Sequence, residues 1–114
     1  SGNMDWSNIQ KAGTCYGTAL TYILDENMKT GNEDLILVHA DVTGTGGNVE
    51  GQVYGHAFVL DGDTVIDTER LKHNDNYKFP YDFYKRIGNV TNEKRYTFME
   101  AVTKSMEAGT YGPW

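Results

Sequence analysis

Residues 54–70, YGHAFVLDGDTVIDTER, constrain the fold more than any other stretch of the chain. An Asp-Gly pair between two alternating apolar runs is a strong hairpin signal, because a type I′ turn needs positive φ at both central positions. With Asp61 and Gly62 as the loop residues, Leu60 pairs with Asp63, Phe58 with Val65 and His56 with Asp67. Directly opposed residues carry Cβ atoms about 5 Å apart on one face, near enough for a carboxylate to hydrogen-bond an imidazole. A three-residue loop over 61–63 instead pairs His56 with Thr68 and sends Asp67 to the other face. The stretch is therefore either a surface hairpin with polar ends or two members of a catalytic group.

The neighbouring segments supply something for that hairpin to pack on. Thr14 can cap a helix over residues 15–29, with Gly31 as its C-terminal stop. Tyr16, Leu20, Ile23 and Asn27 follow helical spacing, and Ala19 and Leu24 widen the stripe. Residues 35–42, LILVHADV, read as a buried strand. Residues 43–48 form a flexible glycine-containing loop, and a long strand over 49–60 follows. Gly51 and Gly55 in that strand suggest a bulge or a close backbone approach.

Residues 69–78 read as a polar loop, and Pro80 opens a short helix through Arg86 that Gly88 closes. Residues 94–96 form an edge strand. Thr97 and Glu100 match a capping box for a last helix over 98–108, with Met99, Val102 and Met106 as its stripe and Gly109 as its stop. The aromatic tail, residues 110–114, is expected to dock on the body. The fold class is α+β: an N-terminal cysteine-bearing helix on an antiparallel sheet, with a C-terminal helix.

At 114 residues the chain makes one domain over 4–114, and Ser1, Gly2 and Asn3 before Met4 look like an expression scar. Ten basic against 16 acidic residues give a net charge of -6, which disfavours a phosphate backbone as partner. No segment reads as a membrane span or signal peptide, so a soluble cytoplasmic protein is expected. The single cysteine, Cys15, excludes an internal disulfide and a cysteine-rich zinc site.

Cys15 falls in the first turn of the predicted helix, where unpaired backbone N–H groups favour a thiolate. A nearby imidazolium would favour it further, and a carboxylate on the far ring nitrogen would fix the tautomer. Cys15, His56 and Asp67 are the residues for those roles. Gly17 leaves room beside the cysteine for the sheet or a substrate.

Three segments, Gly13-Thr14-Cys15-Tyr16-Gly17-Thr18-Ala19-Leu20, Gly55-His56-Ala57-Phe58-Val59 and Val65-Ile66-Asp67-Thr68, resemble the papain-like cysteine hydrolase superfamily, its compact NlpC/P60-like and transglutaminase-like branches above all. The chain also resembles small proteins of phage and bacterial genomes. The resemblance covers roughly residues 14–68. It implies Cys15 as nucleophile, His56 as general base and then acid, and Asp67 as orienting residue. It further implies a bacterial or phage-infected cell as the setting. Phe58 stands where transglutaminase-like proteins often carry tryptophan, and the connection from His56 to Asp67 is shorter than theirs. NlpC/P60 enzymes often use a second histidine where this chain has Asp67. Gln10 lies five residues before the cysteine, where papain-like proteases carry an oxyanion-hole glutamine six before. The backbone N–H of Cys15 is the alternative donor.

Secondary candidates remain. His39 is a metal ligand with Asp41 and His56, a second ring for the site or, by default, a structural residue, and Glu69 becomes the orienting acid if the register shifts by two. His73 sits in the polar loop. The aromatic group of Tyr77, Phe79, Tyr81, Phe83 and Tyr84 is expected in the core, with the wall of a substrate groove as the alternative. The function implied is a thiol hydrolase or acyl transferase acting on an amide or ester in a peptide, a protein or a small molecule, with no cofactor or metal. The alternative is a non-catalytic domain of the same fold that binds a protein partner.

Overall fold

The computed structural model describes residues 14–71 and 76–114, so Gln10, His73 and residues 1–3 lie outside the described residues. The order is α1 (Thr14–Thr30), β1 (Ile36–Thr43), a 3-10 turn (Gly47–Val49), β2 (Val53–Asp61), β3 (Thr64–Ile66), α2 (Thr68–Leu71), β4 (Lys78–Pro80), α3 (Tyr81–Gly88), β5 (Thr91–Tyr96) and α4 (Phe98–Ala108). The strands make one antiparallel sheet in the order β4-β3-β2-β1-β5. The α+β architecture expected from the sequence is the one observed. None of the helices described is long and apolar enough to cross a membrane.

Both faces of the sheet are covered, which is why the middle of β1 is buried without alternation. On one face Tyr16, Ala19, Leu20 and Ile23 of α1 pack on Leu37, Ala57 and Val59, with Ala101 of α4 and the tail residues Tyr111 and Trp114 beside them. On the other face Val38, Ala40, Phe58 and Leu60 pack against Phe79, Tyr81 and Tyr84. The α1 stripe is the one that helical spacing predicts, and Gly31 ends the helix with φ +73° and its N–H on Asn27 O.

The hairpin forms with a different turn. Asp61 pairs with Thr64, Leu60 with Val65 and Val59 with Ile66, so the loop is Gly62-Asp63. Gly62 has φ +61°, and Asp63 is not among the positive-φ residues, which is the type II′ pattern with glycine first. The register therefore moves by two residues from the Asp61-Gly62 expectation. His56 does not face Asp67 directly; β3 ends at Ile66 and the chain turns into α2.

Other expectations shift with packing. The first part of the expected 49–60 strand is a 3-10 turn and a bend at Gly51, φ +77°. The polar loop after the hairpin carries α2 at one end and β4 at the other. Asn89, not Gly88, takes the left-handed position after α3. In α4 the capping box forms as predicted, but Met99 and Met106 are exposed while Ala101 and Ser105 are buried. Small residues there let the helix lie close to the sheet, a preference that side-chain hydrophobicity does not register. The space at Gly17 is taken by the Tyr111 ring, not by a substrate: a Cβ there would sit 3.1 Å from it.

Candidate functional site

Alternation along β2 directs the amides of Asp61, Val59 and Ala57 toward β3. Because β3 stops at Ile66, the partner of Val59, the Ala57 N–H meets no β3 residue. Cys15, in the first turn of α1, packs in the same core cluster as Ala57, whose backbone N–H favours its thiolate. The thiol thus lies on the α1 face of the sheet with Ala57, whereas His56, the preceding residue of β2, points to the other face.

Cys15 is buried, and burial pushes its thiol up. The Glu69 carboxylate pushes the same way, while the backbone N–H groups of Ala57, Tyr16 and Cys15 itself favour the thiolate without overcoming burial. This differs from the thiolate expected at a helix start, because the site is dry as well as dipolar.

His56 leaves β2 on the side of Phe58, whose ring lies 6.2 Å from its own; Tyr54 lies at 6.3 Å. Burial among these rings pulls the imidazole below its ordinary value, against the charges of Asp67 and Glu69. Nε2 of His56 is 3.2 Å from the Tyr84 hydroxyl, and that hydroxyl donates to Asp67 Oδ2 at 2.9 Å. The two-residue register shift opened a gap between histidine and acid, and Tyr84 of α3 fills it. Burial, then the Asp67 carboxylate, raises the Tyr84 phenol.

Asp67 is held from its other side. Its Oδ1 accepts from Arg70 N at 3.2 Å, and Arg70 Nε lies 4.0 Å from Oδ2. Its own N–H donates to Tyr77 O at 2.8 Å. Glu69, in α2, acts electrostatically on both Cys15 and His56. An open groove of about 480 Å³ adjoins His56, walled by Tyr54, Phe79, Tyr84 and Ile87, with Thr43 and Thr45 of the glycine-containing loop at its rim.

His39 is elsewhere. It lies opposite Ala57 on β1 and is buried among Tyr16, Tyr96 and Trp114, with ring centroids at 4.9, 5.1 and 4.8 Å. Asp41 on the same strand accepts from Asn92 Nδ2 at 2.8 Å. Of the residues singled out in the sequence, the structure links His56 to Asp67 through Tyr84, puts Cys15 in the core cluster on the α1 face and leaves His39 among aromatic rings.

Tyr84 is the member that sequence reasoning did not single out. It read as core, and its ring is core; the hydroxyl distinguishes it from Phe79, and the partner that hydroxyl finds, Asp67 instead of Glu93, distinguishes it from Tyr81. No family model, curated protein or solved structure matches the chain. What defines the chain is therefore its fold and local geometry: an α+β domain in which a tyrosine links an imidazole to a carboxylate beside an open groove.

Proposed function

We propose that the protein is a cysteine-dependent hydrolase or acyl transferase acting on an amide or ester. The observation that carries this reading is the Tyr84 hydroxyl, which engages Nε2 of His56 and ties it to Asp67, with Cys15 packed in the cluster of Ala57, the next residue of β2. With Nε2 so occupied, Nδ1 is the nitrogen that takes the thiol proton.

Burial raises the thiol and lowers the imidazole, so the resting pair is neutral. The proton passes to Nδ1 as sulfur attacks the carbonyl carbon. The backbone N–H of Cys15 at the start of α1 is the donor for the developing oxyanion. The tetrahedral adduct collapses to a thioester, and the imidazolium returns its proton to the leaving amine or alcohol. Water or an acceptor amine, deprotonated by the neutral imidazole, then releases the acyl group.

p-Nitrophenyl acetate tests this without knowledge of the natural substrate. Wild type should gain one acetyl group on Cys15, seen by intact mass, with a burst of p-nitrophenol. Cys15→Ala should not, and His56→Ala should acylate about 100-fold more slowly or worse. Equal acylation rates in wild type and His56→Ala would sink the enzyme reading and leave the groove as a binding surface.

A further inference from the structure

Resting on the reading above, we infer that Tyr84 is a positioning residue that fixes His56 as its Nε2–H tautomer, leaving the Nδ1 lone pair for the thiol proton. A phenol has one proton to donate. That proton points at Asp67 Oδ2, 2.9 Å away, a carboxylate that also accepts from Arg70 N and faces Arg70 Nε. The Tyr84 oxygen can then meet His56 Nε2, 3.2 Å away, only as an acceptor, so Nε2 carries the hydrogen. Asp67 sets the tautomer through the phenol instead of touching the ring.

The geometry of the element makes this link specific to Tyr84. Its ring is anchored by edge and tilted contacts to Phe58 at 5.1 Å and Phe79 at 5.7 Å, so the hydroxyl is held at a fixed place between strand and acid. Tyr81, on the same helix face, sends its hydroxyl to Glu93 on β5 at 2.6 Å and takes no part. Tyr84→Phe keeps the packed ring and removes only the linking oxygen.

The test reads the ring nitrogens directly. Protein carrying ¹⁵N-histidine, with His56 assigned by a His56→Gln variant, is examined by NMR at a pH where the imidazole is neutral. Wild type should show Nε2 as the protonated nitrogen and Nδ1 as the bare one. Tyr84→Phe should lose this pattern to a mixture of tautomers. Asp67→Ala should reverse it, because a phenol without its carboxylate turns to donate to Nε2 and drives the proton to Nδ1. A protonated Nδ1 in wild type overturns the inference, as does a Tyr84→Phe spectrum that keeps the wild-type pattern. If neither variant folds, the wild-type nitrogen shifts decide it. The acetylation assay reports separately: a tautomer that responds as described in a protein that never acylates removes the thiol reading and keeps the role of Tyr84.

Discussion

At Gly55 the Tyr16 hydroxyl occupies the place a Cβ would take, so β2 and the first turn of α1 approach each other only because this residue has no side chain. Tyr16 follows Cys15 directly, so the same contact fixes the helix turn that carries the thiol. Gly55→Ala should cost about 1–3 kcal/mol, the range for overpacking a close contact. Tyr16→Phe removes the clashing oxygen and leaves its ring carbon 3.6 Å from the added methyl, an ordinary contact. The double variant should recover most of the loss. Urea midpoints of the four proteins form the cycle; strictly additive losses would show that the clash is not the cause. Glycine in a strand signalled a close approach in the sequence, but the atom it approaches is fixed only by tertiary packing.

At the level of elements, α4 shows what local signals carry. Thr97 Oγ1 accepts from Glu100 N at 3.2 Å, and Glu100 Oε1 accepts from Thr97 N at 3.0 Å. Thr97→Ala should lower stability by about 1 kcal/mol, and serine should restore it, as thermal unfolding of the three proteins would show; an unchanged midpoint in the alanine variant would mean that packing alone sets this helix end. Caps and stops of this kind are chemically local, and so α1 and α4 were legible within a residue or two. The hairpin was legible as a hairpin but not in register, since Asp61-Gly62 and Gly62-Asp63 are both chemically acceptable turns. The choice between them moves every pairing of β2 with β3 by two residues, and it is why the acid reaches His56 through Tyr84. Cys15, His56 and Asp67 carried a reactive-group signature that the sequence displays. Tyr84 carried none, because a phenol in an aromatic cluster looks like core until the gap it bridges exists.

Across the whole molecule, the C-terminal tail ties the outer strand to the α1 face, and His39 sits under it. Trp114 O accepts from Lys94 Nζ at 3.2 Å and Tyr96 Oη at 3.3 Å, and Trp114 Nε1 donates to Thr110 O at 3.1 Å. The Gly112 backbone lies on the imidazole so closely that a Cβ there would run into the ring. Among the described residues neither ring nitrogen of His39 has a hydrogen-bond partner. Burial, with the Lys94 charge adding to it, pulls the imidazole down to about 4. An unfolded histidine takes its proton near pH 6.5. Between those values the unfolded chain binds a proton that the folded chain refuses, so stability falls as pH falls. The contribution is fully present above about pH 6.5 and is lost by about pH 4, on the order of 3 kcal/mol in all. His39→Phe keeps an aromatic ring under the tail and removes the titration. Denaturant unfolding at intervals from pH 7 to 4 should show the wild type losing stability relative to the variant by on the order of 3 kcal/mol, with the steeper decline in wild type. Parallel curves would show that the His39 site admits the proton when folded, and would place the acid sensitivity of the domain in its carboxylates.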